Sequence, residues 1–195
     1  MHMPLTNYEK NPFDNPMARL FWGRFPIEKA AAMFFYEPQG NVSRIIYEMK
    51  YHGKIETCQY MGEIMARRMA AAGFFDGIEA IVPMPLNWRR QWKRGYNQSM
   101  EIARGINSVT ALPIYNNVVK RRHFSKSQTT LHNYERMKNV ENAFSLTKAD
   151  KISGRHILLI DDIVTTGSTI TACAKELAKA SVASISLLTV GITKS

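Results

Sequence analysis

Residues Ile157-Leu158-Leu159-Ile160-Asp161-Asp162-Ile163-Val164-Thr165-Thr166-Gly167-Ser168-Thr169 constrain this chain more than any other stretch. Four branched apolar residues run directly into two adjacent acids, and a hydroxyl-rich turn with one glycine follows. A short continuous apolar run bounded by polar residues predicts a strand buried on both faces. Residues 170–177 then read as a helix. Open parallel α/β sheets place ligands beyond the carboxyl ends of their strands. There, small residues let the backbone curl so that several N–H groups point at one anion, and the helix adds its positive end. The segment thus sets acids, suited to hydroxyls or a metal, beside a cradle for a phosphate. A sugar phosphate carries both kinds of group.

Rival readings of the stretch explain less of it. An N-capping Ser or Thr on an ordinary βα turn accounts for one hydroxyl, not for Thr-Thr-Gly-Ser-Thr. A Walker B strand also ends in acids, but the chain has no Gly-x-x-x-x-Gly-Lys-[Ser/Thr] to accompany it. The stretch closely resembles the 5-phosphoribosyl-1-pyrophosphate (PRPP) motif of type I phosphoribosyltransferases. That resemblance implies that Asp161 and Asp162 are the catalytic acids holding the ribose hydroxyls, with Mg2+ nearby, directly or indirectly bound. It also implies that Thr165, Thr166, Gly167, Ser168 and Thr169 hold the 5-phosphate.

At 195 residues the chain suffices for one sizeable domain with a small appendage. No apolar run approaches the ~20 residues needed to span a bilayer, so no membrane insertion is expected. The first residues lack a signal-peptide core, and the two cysteines, Cys58 and Cys173, have no metal-ligand spacing. A reducing cytoplasm is the expected location. The formal charge of +10 suits nucleic acid and a polyphosphate substrate equally.

Taken in order, residues 1–29 are rich in Asn and Pro and read as an irregular arm. Residues 30–36 read as a strand. Ile45, Ile46 and Met49 share one face of a helix that Asn41 or Ser43 would cap, and a second helix spans 57–72 and stops at Gly73. Residues 80–86 form a strand-to-loop transition whose Pro83 and Pro85 interrupt any ladder. Arg89, Arg90, Lys93 and Arg94 then alternate with Trp88, Trp92 and Tyr96. Such a segment would stack on single-stranded nucleic acid or grip a pyrophosphate. A strand is expected at 114–119, a long polar loop from 120, a helix at 134–140 and a last strand at 183–190. Strands alternating with helices imply a parallel sheet.

Three blocks together point to one family. Val82-Pro83-Met84-Pro85-Leu86 with Arg89, Arg90 and Arg94-Gly95-Tyr96-Asn97-Gln98 forms the first. Gln128-Thr129, Leu131, Arg136, Asn139-Val140 and Ala143-Phe144 form the second, and the PRPP motif is the third. Lys50-Tyr51-x-Gly53 fits an upstream pattern more loosely. The combination resembles the ComF family, phosphoribosyltransferase-like proteins linked to bacterial DNA uptake. Many members begin with a cysteine-rich zinc ribbon, which this chain lacks.

The resemblance implies an α/β type I phosphoribosyltransferase fold, with a hood and helices at 30–76 and the sheet core at 77–195. It implies a pyrophosphate site at Met84, Pro85, Leu86, Arg89, Arg90 and Arg94, with backbone N–H groups of Met84 and Leu86 as donors. The loop carrying Arg121, Lys126 and Gln128 would close over it. The expected ligand is PRPP or a related ribose 5-phosphate. The alternative is a non-catalytic accessory protein that binds single-stranded DNA through the basic aromatic patch. Monomer and oligomer are both compatible with the sequence.

Overall fold

A computed structural model describes residues 3–51, 54–122 and 143–194. The elements are α1 (Pro16–Arg19), β1 (Ala30–Tyr36), α2 (Asn41–Tyr51), α3 (Ile55–Ala71), β2 (Ala80–Pro83), α4 (Trp88–Arg94), α5 (Gln98–Thr110), β3 (Val119–Arg121), β4 (Phe144–Leu146), β5 (His156–Val164), α6 (Ser168–Ala178) and β6 (Ser184–Thr193). Four strands form a parallel sheet in the order β1-β6-β5-β2, and β3 and β4 pair antiparallel beside it.

The apolar run 157–160 explains why β5 lies inside the sheet. Ile157 and Leu159 join a core with α1, α6 and β3–β4. Leu158 and Ile160 point the other way, into a core with α2, α3 and α5. All four are fully buried, and each such burial is worth roughly 1.5–3 kcal/mol. Because β1 pairs along β6, the segment that begins at residue 30 supplies an edge strand of the main sheet as well as α2 and α3. Among the described residues no helix is long and apolar enough to cross a membrane.

Helices α3 and α5 cross with no room for a side chain. A Cβ on Gly62 would sit 2.2 Å from the Ile102 carbonyl oxygen, and one on Gly105 would sit 1.9 Å from that of Gln59. This crossing fixes the position of α5, whose first turn faces the site.

The Asn–Pro pairs that marked the N-terminal arm as irregular have local roles. The Asn15 side-chain oxygen accepts from the N–H groups of Met17 and Ala18, and Pro16 occupies the first helical position. The Asn15 amide also donates to the Ala30 carbonyl at 2.8 Å, so the arm is stitched to β1. Met17 and Phe21 are fully buried.

The strand expected at 114–119 is a different structure. Tyr115 N–H donates to Ile81 and Ile81 N–H to Pro113, which gives one bridge beside β2. Asn117 then takes a left-handed conformation, φ 64°, and strand β3 starts only at Val119. Asn tolerates that conformation where branched residues do not, so the Asn116-Asn117 pair turns the chain within an otherwise strand-like run. The helix expected at 134–140 lies outside the described residues, as do Gly53, Lys126, Gln128 and the second family block as far as residue 142.

Candidate functional site

The carboxyl ends of β5 and β2 and the start of α6 enclose a cleft of about 400 Å³. Residues 161–164 reach it from β5, residues 165–167 from the following turn, residues 168–170 from the start of α6, and Met84, Pro85 and Leu86 from the exit of β2. Lys50, Arg90, Arg94, Gln98, Ser99 and Arg121 complete the lining. Arg89, expected at the pyrophosphate, is exposed on α4 and is not part of this lining.

The two acids sit in different settings. Asp161 Oδ1 accepts from the Ser99 hydroxyl at 3.2 Å and from the Asp162 N–H at 2.9 Å. Asp162 Oδ2 forms an ion pair with Lys50 Nζ at 2.9 Å, both side chains being mostly buried. Burial, and after it the charge of Asp162, push the Asp161 pKa up to about 7, against the opposing pull of the Asp162 N–H, Ser99 and Lys50. Asp162 is thus paired with a cation, while burial favours the neutral form of Asp161.

Gly167 turns the chain into α6 with φ 74°, a conformation that favours glycine. The turn is braced from the N-terminal arm. A Cβ on Gly167 would lie 3.0 Å from the Phe21 ring, and Arg24 donates to the Thr166 carbonyl at 2.7 Å. The Thr166 and Ser168 hydroxyls are 3.1 Å apart. Thr165, Thr166 and Ser168 are exposed at the mouth of the helix, where dipole and free N–H groups favour an anion.

The segment Gly95-Tyr96-Asn97-Gln98-Ser99 explains itself residue by residue. Gly95 ends α4 at φ 82°. The buried Tyr96 hydroxyl donates to the Met49 carbonyl at 2.6 Å, tying α2 to this segment. Asn97 caps α5 through Ser99 N–H and donates to the Met84 carbonyl at 2.9 Å, holding the exit of β2. Ser99 reaches Asp161. Gln98 is 2% exposed, lines the cleft, and its side-chain nitrogen has no hydrogen-bond partner. An orphaned buried donor carries a desolvation cost of about 1–3 kcal/mol that a ligand acceptor would relieve.

One expectation about the β2 exit is corrected. The Met84 N–H donates to the Ile160 carbonyl at 2.9 Å, continuing the sheet beyond Pro83, and so does not face a ligand. Leu86 is left as the backbone donor expected from that turn.

The cleft lining carries four cations, Lys50, Arg90, Arg94 and Arg121, against two acids. Burial, and after it the Arg90 charge, pull the Arg121 pKa below its ordinary value. Loss of water around the guanidinium is the larger cause and the like charge the smaller, and a bound polyanion would offset both. Arg94 also lies 5.2 Å from the centre of the Tyr51 ring. The oxygen-only acids suit magnesium, and the contacts above fall on neither Asp161 Oδ2 nor Asp162 Oδ1. Among the described residues no three His, Cys, Asp or Glu side chains gather to hold a metal by themselves. An ion here would therefore take most of its ligands from a bound phosphate and water, as magnesium commonly does.

Sequence reasoning missed Lys50, Gln98 and Ser99 as cleft residues and Arg24 as a brace of the turn. Gln98 had a signal, standing in the motif that follows the basic segment. Arg24, 142 residues from its partner, had none.

Comparison with known proteins follows the same lines. The phosphoribosyl transferase domain family matches residues 93–191. Competence protein F of Haemophilus influenzae is 40% identical over 108 residues, covering 55% of this chain and 47% of that protein. DNA utilization protein YhgH of Escherichia coli is 28% identical over 163 residues, covering 82% of this chain and 70% of that protein. The chain thus spans about half the length of the first relative and more of the second. Glutamine PRPP amidotransferase from B. subtilis is similar in structure at 14% identity and a TM-score of 0.49, over 68% of this chain and 25% of that one. The resemblance to the ComF family and the phosphoribosyltransferase fold class are borne out, and the chain belongs to the phosphoribosyl transferase domain family.

Proposed function

We propose that the cleft binds PRPP or a closely related ribose 5-phosphate, with magnesium, and that the protein serves DNA uptake through this ligand. The observation that carries the reading is one cleft holding an acid pair, a helix N-terminus with its hydroxyl-rich turn, and four cations. Asp161 and Asp162 accept hydrogen bonds from the ribose hydroxyls. The N–H groups and hydroxyls of Thr165, Thr166, Gly167, Ser168 and Thr169 take the 5-phosphate. Leu86 N–H, Arg90, Arg94 and Arg121 neutralise the pyrophosphate. Magnesium, when bound, shields the charge of the pyrophosphate oxygens.

Transfer to an acceptor breaks the bond between ribose C1 and the pyrophosphate oxygen. The electron pair leaves with the pyrophosphate, and positive charge develops on the ring. The carboxylates stabilise that charge from a fixed position, so the contribution is electrostatic rather than covalent. The names of the two relatives, competence and DNA utilization, support the cellular context.

Titration calorimetry with PRPP and magnesium tests the reading on wild type and Asp161→Asn/Asp162→Asn. A hydrogen bond to a charged group is worth about 1.5–3 kcal/mol, so the double variant should bind at least ~10-fold more weakly. Equal affinity removes the acids from the site.

A second reading has its own observation. Trp92 is 85% exposed on α4, and Arg89, Arg90 and Lys93 beside it are exposed as well. A bare indole among cations suits stacking on single-stranded DNA. Binding of a labelled oligonucleotide would then fall steeply with salt, and Arg89/Arg90/Lys93→Ala would flatten that slope. Identical curves for wild type and variant reject this patch.

A further inference from the structure

The ion pair between Lys50 and Asp162 joins the end of α2 to the acid pair from outside the matched family segment. Its position is built rather than incidental. Met49, the preceding residue, is fully buried, and its carbonyl accepts from the Tyr96 hydroxyl and lies 3.8 Å from Cys58 Sγ. The segment that places Ser99 on Asp161 therefore also places Lys50 on Asp162. The Lys50 side chain is 22% exposed and lines the cleft. An ammonium has three donors, of which the Asp162 contact takes one.

We infer that Lys50 is a ligand-binding residue, an ammonium that pairs with Asp162 while lending the anionic ligand part of the positive charge that magnesium otherwise supplies. This rests on the reading of the cleft as a site for a phosphorylated pentose. A fixed cation in a partly buried site is screened little, and the charge of Lys50 belongs to the protein itself. Affinity for the ligand is accordingly shared between protein and metal, and loss of the lysine shifts the whole share to the metal.

The test is calorimetric titration of wild type, Lys50→Met and Lys50→Arg with PRPP, in EDTA and across a magnesium series. Wild type should keep measurable affinity in EDTA. Lys50→Met should bind at least ~100-fold more weakly in EDTA, and rising magnesium should recover most of the loss. Lys50→Arg should retain most of the metal-independent binding. A purely structural clamp would not change the magnesium dependence in this way. Should Lys50→Met fail to fold by thermal melt, Lys50→Gln is read by the same criteria. If Lys50→Met matches wild type at every magnesium level, the inference is overturned and the reading of the cleft stands. If wild type binds no PRPP under any condition, both fall.

Discussion

Asp161 should make the protein less stable once its carboxyl is ionised. Its pKa rises from the usual 3.8 to about 7, mainly through burial and then through Asp162. A carboxyl whose folded-state pKa is raised costs nothing below its unfolded value, where both states are protonated. As pH climbs through the window from about 4 to 7 the unfolded chain ionises first, and folding is progressively opposed. Taken alone, the shift corresponds to about 4 kcal/mol above pH 7. Relaxation and water entering from the open cleft absorb part of this, leaving on the order of 1–2 kcal/mol.

Asp161→Asn removes the charge but keeps an oxygen that accepts from Ser99 and from the Asp162 N–H. The variant should therefore melt about 2–8 °C above wild type at pH 8.5, and the gap should narrow at pH 5. Thermal unfolding in EDTA, followed by circular dichroism at several pH values, measures it. A variant that melts below wild type at pH 8.5, or a gap that does not change with pH, refutes the account of this carboxyl.

Two further outcomes follow from packing. Gly105→Ala places a methyl 1.9 Å from the Gln59 carbonyl oxygen, backbone against backbone, with no flexible side chain to yield. Overpacking of this kind costs about 3 kcal/mol, so a fall of roughly 6–12 °C in Tm is expected, and an unchanged melt would show that α3 and α5 part freely. Burial, with the Glu101 and Asp162 charges behind it, pushes the Cys58 thiol up to about 12, and burial raises the Cys173 thiol as well. Neither should react with a disulfide reagent at pH 8 until guanidinium is added; a thiol that titrates within seconds in native buffer contradicts this.

The core of the site could be read in the sequence because its signals are local. The apolar run, the acid pair and the glycine turn are contiguous, so strand, cleft wall and helix mouth follow from one stretch. The shared face of Ile45, Ile46 and Met49 on α2 and the stop of α3 before Gly73 were legible for the same reason. What escaped depends on distant partners. Nothing near Ser99 reveals that it meets Asp161, 62 residues on, and nothing near Lys50 reveals its pairing with Asp162. Met84 was misjudged because Pro83, though it cannot donate, does not stop the next N–H from continuing the ladder to Ile160. The 114–119 run carried strand-like residues, yet a single left-handed Asn117 divided it.

The bracing of the Gly167 turn by Phe21 and Arg24 changes what counts as the smallest intact piece of this protein. A fragment cut to residues 93–191, the span that matches the family, would keep the acids and the glycine while discarding the floor on which that glycine rests. Its empty hollow would have to be filled by solvent or collapse. Engineering that trims the front of the chain would thus disturb the cleft from behind.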